Sequence, residues 1–217
     1  MGIFRFFVCV LLLLITSTSF AIDYQVSAGG EFSCVIDDTG LVCWGANEFG
    51  QLDNPVLSNP HKISSGYRHL CALDNLTVRC WGASGNGRKN HPQLNSATHV
   101  SAGGAHGCAI NSSNLICWGY NNHGQSSVPE LSNPTHVTTG YDHTCVIDES
   151  EVICWGSNIQ GQTDVPELSN PIKLFSGPYH TCAIDDSGLV CWGDNEFGET
   201  STPILSNPTE VALGHDH

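Results

Sequence analysis

Ten cysteines fall in five pairs: Cys34 and Cys43, Cys71 and Cys80, Cys108 and Cys117, Cys145 and Cys154, Cys182 and Cys191. The members of a pair are nine residues apart, and successive pairs are 37 residues apart. Thiols in a C-x8-C arrangement can close a disulfide, stay as buried free thiols or ligate a metal. Structural zinc sites draw on cysteines roughly two to four residues apart, usually with a second pair close by. Nothing here has that spacing, so the pattern favours disulfides over free thiols and over a metal.

A second column of reactive side chains runs beside the first. Two residues ahead of each later cysteine position stand His69, His106, His143, His180 and His217, with Phe32 in the first copy. Five imidazoles about one axis could suggest a metal ring. One histidine per unit at a fixed place is more simply a repeated local hydrogen bond, so we assign the column a structural role. His215-Asp216-His217 looks ligand-like, yet Tyr141-Asp142-His143 shows it to be the ordinary start of a unit. The acidic turns Asp37-Asp38 and Asp185-Asp186 lack the alternating oxygen ligands of a calcium loop. No nucleophile stands beside a base, and no glycine loop opens a phosphate-binding helix. The expectation is therefore no catalytic residue, no cofactor and no metal. Asn75-Leu76-Thr77 and Asn111-Ser112-Ser113 fit the glycosylation sequon.

The elements that place these groups are short strands. In Cys182 to Trp192, the runs Cys-Ala-Ile and Leu-Val-Cys-Trp flank Asp185-Asp186-Ser187-Gly188, which reads as a hairpin turn. A symmetric turn sets Cys182 opposite Cys191, Ala183 opposite Val190 and Ile184 opposite Leu189. Opposed residues of an antiparallel pair stand about 4.5 to 5.5 Å apart, within the reach of a disulfide. Both faces of the hairpin are apolar, so it belongs between two neighbouring sheets, where a surface hairpin would alternate. Arg79 opposite Ala72 marks the second copy as less regular.

Each unit opens with a short strand ending in glycine, from Val26–Gly29 to Val211–Gly214, six openings for five hairpins. Every tryptophan follows a second cysteine and is followed by glycine, at Trp44, Trp81, Trp118, Trp155 and Trp192. A loop and a proline-punctuated segment such as Val165-Pro166-Glu167-Leu168-Ser169-Asn170-Pro171 complete the unit. Prolines recurring at Pro55, Pro92, Pro129, Pro166 and Pro203 suit an outer edge strand, which needs no ladder donor there. The sequence thus predicts an all-β propeller of four-stranded blades. Its repeats are 26–62, 63–99, 100–136, 137–173 and 174–210, with 211–217 beginning a sixth. The next cysteine would fall just past His217, which reads as a longer ring cut short.

Residues 1–21 read as a secretory signal peptide: Arg5, an apolar run from Phe6 to Ile15, and Ser19-Phe20-Ala21 as the cleavage site. Cleavage before Ile22 removes Cys9 and leaves only paired cysteines in residues 22–217, as an oxidising compartment favours. The expected product is a secreted or periplasmic monomer, off the membrane once the peptide is cleaved. After removal of Arg5, six basic residues face 21 acidic ones. That surface disfavours nucleic acid and favours a protein partner with a basic face.

The glycine, histidine, cysteine hairpin and Trp155-Gly156-Ser157-Asn158-Ile159-Gln160-Gly161-Gln162 resemble the repeat of the regulator of chromosome condensation family. The resemblance spans residues 26–217 and implies a propeller, typically of seven blades. It also implies one of three roles: nucleotide exchange on a small GTPase with chromatin binding, an exported binding or inhibitory propeller, or a receptor's extracellular sensor domain. The signal peptide and acidity point to an exported, non-catalytic protein-binding propeller, with the exchange factor as the alternative. Specificity should lie in side chains that vary between matching units. The candidates are Glu48, Phe49, Tyr67, Tyr120, His123, Tyr141, Ile159, Glu196 and Phe197.

Overall fold

The computed structural model describes residues 25–217; the signal-peptide segment lies outside them. Each full unit folds into three antiparallel strands. The first holds β1 (Gln25–Ala28), β2 (Phe32–Asp37) and β3 (Gly40–Gly45). The second holds β4 (Pro60–Ser65), β5 (His69–Asp74) and β6 (Thr77–Gly82). The third holds β7 (Ala97–Ala102), β8 (His106–Asn111) and β9 (Asn114–Gly119). The fourth holds β10 (Pro134–Thr139), β11 (His143–Asp148) and β12 (Glu151–Gly156). The fifth holds β13 (Lys173–Ser176), β14 (His180–Asp185) and β15 (Gly188–Gly193). In every sheet the three strands pair in chain order.

The hairpin register follows the symmetric turn. Cys182 faces Cys191, Ala183 faces Val190 and Ile184 faces Leu189, and in the second unit Ala72 faces Arg79. Five disulfides join the opposed cysteines, with Cα atoms 4.0 to 4.1 Å apart.

Among the described residues no unit forms a fourth strand. The proline segment has no ladder, because its prolines lack donors and the backbone that could donate is taken by a side chain. The Asp74 carboxylate accepts from Ser58 N at 2.9 Å and Asn59 N at 2.6 Å. Asp148 does the same for Ser132 and Asn133, and Asp185 accepts from Ser169 N at 2.8 Å. The first carboxylate of these hairpin turns thus ties down the Ser-Asn-Pro segment. The sixth opening, 211–214, likewise forms no strand.

Middle strands β5, β8, β11 and β14 are buried almost throughout. The core lies between the sheets. One cluster joins Phe32, Ile36, Ile63, Leu70 and Trp81, and another joins Ile147, Leu174, Ala183 and Trp192, each spanning two units. Burying the apolar faces only against neighbours makes stability a sum over unit boundaries. The indole N–H crosses each of the four boundaries: Trp81 donates to the Gln51 carbonyl at 3.0 Å, Trp118 to Arg88 at 2.8 Å, Trp155 to Gln125 at 3.0 Å and Trp192 to Gln162 at 3.1 Å. Trp44 has no preceding unit among the described residues and is 53% exposed.

Inner strands β1, β4, β7, β10 and β13 pack side by side in that order. The glycine turns that follow them surround one channel of about 290 Å³, its wall continued by Leu213, Gly214 and His215. This radial order places all the glycine turns at one mouth.

Candidate binding surface at the glycine end of the channel

The spacing Gly-x-x-His has a steric cause. A Cβ on Gly103 would stand 2.3 Å from the Gly140 carbonyl oxygen and 2.8 Å from the His106 ring, so only glycine lets ring and neighbouring backbone close in. The turns then bond to one another around the channel. Gly30 N donates to the Tyr67 carbonyl, Tyr67 N to Gly103, Gly104 N to Gly140 and Tyr141 N to Pro178, at 3.0 to 3.2 Å.

That backbone ring fixes where the next side chains stand. Tyr67 and Tyr141 line the channel mouth with ring centroids 5.6 Å apart. Tyr179 continues the arc at 5.9 Å from Tyr141, and the His215 ring meets Tyr179 edge-on at 5.5 Å. Aromatic rings in this edge-on and tilted geometry favour one another and present broad apolar area that costs little entropy to order.

Beside the arc a groove of about 630 Å³ runs outward between the blade-end loops. Ile159 and Phe197 line it and are 81% and 70% exposed. Asp142, Asp194 and Glu196 also line it. Burial and the carboxylates Asp142 and Asp194 push the Tyr179 hydroxyl above its ordinary pKa. Burial raises Asp142 too, against the pull of His123 and of the Gln125 amide, which donates to it at 2.8 Å.

The loops are held by their own side chains. Asn158 Oδ1 accepts from Thr163 N at 3.0 Å and Gln162 Oε1 from Gln160 N at 2.8 Å, so the Trp-Gly-x-Asn-x-x-Gly-Gln pattern is a self-bonded loop.

Of the sequence candidates, Tyr67 and Tyr141 meet at the mouth, and Tyr141, His123, Ile159, Glu196 and Phe197 share the groove. Phe49 lies beneath the Arg68 guanidinium at 4.5 Å. Tyr120 packs on His123 at 6.5 Å, and Glu48 is exposed outside both cavities. Tyr179, Asp142 and Asp194 were not among the candidates. Tyr179 and Asp142 occupy the residue directly before the histidine, which reads Arg68, Ala105, Asp142, Tyr179 and Asp216 in successive units, a variation as legible as the one beside it.

The opposite end of the inner strands is basic. Lys62 Nζ lies 2.7 Å from His99 Nε2, the His99 and His136 rings are 4.5 Å apart, and Lys173 pairs with Glu210. Burial, together with Lys173, holds Lys62 down at about 8 despite Glu210.

Within the histidine column His69, His106, His143 and His180 are fully buried, and His217 is exposed. His106 Nε2 and His143 Nε2 reach the hydroxyls of Thr144 and Thr181 in the next unit at 2.9 and 2.8 Å. Among the described residues no three histidine, cysteine or acidic side chains are grouped to hold a metal ion.

Radial three-stranded sheets, interlocked tryptophans and a ring of glycine turns define a repeat propeller. The sequence model of the regulator of chromosome condensation (RCC1) repeat matches residues 24–51, 97–125, 135–162 and 172–199. These are just over half of the chain, which belongs to that family. The irregular second unit is the one unmatched. Among solved structures, the ectodomain of the Physcomitrella patens receptor kinase CR4 is 25% identical with a TM-score of 0.68, covering 82% of this chain and 53% of that one. The CRINKLY WD40 ectodomain of the Arabidopsis thaliana receptor kinase ACR4 is 28% identical at 0.63, covering 77% and 62%. Saccharomyces cerevisiae Prp20p is 18% identical at 0.68, covering 81% and 58%. The chain therefore spans between half and two thirds of each. No curated protein sequence matches.

Proposed function

We propose that the protein is an exported, non-catalytic propeller that binds another protein through the glycine end of its channel. The observation that carries this reading is the arc of Tyr67, Tyr141 and Tyr179 opening into the groove with Ile159 and Phe197. Large rings with a polar tip, held by rigid backbone and left open, are what interface hot spots are made of. Five disulfides and likeness to two receptor-kinase ectodomains support a location outside the cytosol. The chain's net charge of −14 favours a partner with a basic face over nucleic acid. The partner meets the propeller as a monomer.

The test is affinity capture from the producing organism's extracellular fraction. Wild type and Lys62→Ala, altered at the opposite mouth, should retain the same partner, and Tyr67→Ala/Tyr141→Ala/Tyr179→Ala should lose it. Equal retention by the triple variant, with an unchanged melting temperature, would refute the reading.

A further inference from the structure

The groove beside the arc repeats a site that the chain fills for itself elsewhere. At the boundary of the first and second units the Arg68 guanidinium lies over the Phe49 ring at 4.5 Å and the Tyr67 ring at 5.2 Å. Four repeats further on, the same three positions are Phe197, Asp216 and His215. The loop ring is kept, while the residue that supplied the cation has become an acid. All three line the groove, together with Asp142, Asp194 and Glu196.

The exchange leaves the second site with an aromatic face and an excess of negative charge. Among the described residues no lysine or arginine lines the groove. The ionisable groups facing it are four carboxylates, the Tyr141 and Tyr179 hydroxyls and the imidazoles of His123 and His215. His215 contacts Asp216, and His123 lies 4.0 Å from Asp142. The other boundary with an acid at this position, Asp142, thus offers it a basic ring from the loop, His123. At Asp216 the loop offers only Phe197.

On the reading that this end binds a protein, we propose that the groove admits an arginine side chain of the partner, its guanidinium over Phe197 and between the carboxylates of Asp194, Glu196 and Asp216. A planar cation gains from both surroundings, stacking on the ring and bonding to carboxylates. Arg68 over Phe49 shows the stacked half of that arrangement within the same fold.

The probe is N-acetyl-arginine amide, whose only charge is the guanidinium, with N-acetyl-citrulline amide as its neutral isostere, each titrated into the purified protein and followed by aromatic carbon–proton NMR. Arginine amide should produce saturable shifts of the Phe197 and Tyr179 rings. Citrulline amide should bind about tenfold more weakly, and Asp194→Asn/Glu196→Gln should reduce arginine binding by about the same factor. Equal response to the two amides, no saturable shift at Phe197, or an unchanged affinity in the carboxylate variant would overturn the proposal. Partner capture separates this failure from that of the broader reading. If the carboxylate variant still captures the partner and the tyrosine variant does not, the arc binds protein and the arginine assignment alone is wrong.

Discussion

His106 Nε2 lies 2.9 Å from the Thr144 hydroxyl across a unit boundary, and that hydroxyl itself lies 2.9 Å from the Gln125 carbonyl. The hydroxyl has one proton and spends it on the carbonyl, so it must accept from the ring. The buried imidazole is therefore the Nε2–H tautomer, and two adjacent units meet in one chain of bonds. His106 and, through Thr181, His143 are struts between blades.

Thr144→Val keeps the shape and removes both bonds, leaving a buried N–H and a buried carbonyl with one partner fewer. It should lower stability by about 1–3 kcal/mol, and Thr144→Ser should recover most of the loss. Denaturant unfolding of the two variants checks this. His69 meets Gly107 where His106 meets Thr144, and its ring nitrogens have no partner, so Gly107 offers no corresponding loss.

Glu199 stands where the other matching units carry Gln51, Gln125 and Gln162. Its Oε2 accepts from Phe197 N at 3.0 Å as the glutamines do, but its buried Oε1 has no partner. The Gln125 amide uses that second atom to donate to Asp142, whose counterpart seventeen residues after Glu199 is Asp216. Glu199→Gln should gain the equivalent donor and raise stability by about 0.5–2 kcal/mol, read as a higher melting temperature.

Removing one staple, as Cys108→Ala/Cys117→Ala, opens a hairpin closed over nine residues of sequence. The expected cost is about 2–3 kcal/mol. Peptide mapping of the native protein without reductant should recover five hairpin-linked peptides and no free thiol in residues 25–217.

Burial holds His69, His99 and His143 down at about 3 and His106 and His136 at about 4. An unfolded histidine titrates near 6.5. Between these values the unfolded chain binds protons that the folded chain refuses, so stability rises with pH and is lost on acidification from about 6.5 toward 4. Each such histidine contributes a slope of up to about 1.4 kcal/mol per pH unit. Melting temperatures across that window should fall steeply, and a flat profile would contradict burial of the column.

The repeat, the hairpin register and the opposition of cysteines were legible because antiparallel pairing has a period of two and a symmetric turn fixes which residues face. The missing fourth strand was not. Pro166 and its equivalents permit an edge strand, and only the geometry shows Asp74, Asp148 and Asp185 taking the backbone donors that such a strand would use. At the site, Tyr67, Tyr141, Ile159 and Phe197 stood out as variable loop residues. Tyr179 and Asp142 sit one position further along, and their relevance depends on a radial order that brings the fourth, fifth and sixth units to one groove.

The direct test is site-specific crosslinking in the extracellular fraction, with a photoreactive phenylalanine placed singly at Phe197, at Tyr67 and at Val56, an outer residue that is 99% exposed. Docking at the glycine end predicts one partner crosslinked from positions 197 and 67 and none from 56. Crosslinking from 56 alone would place the interface on the outer rim and contradict the account.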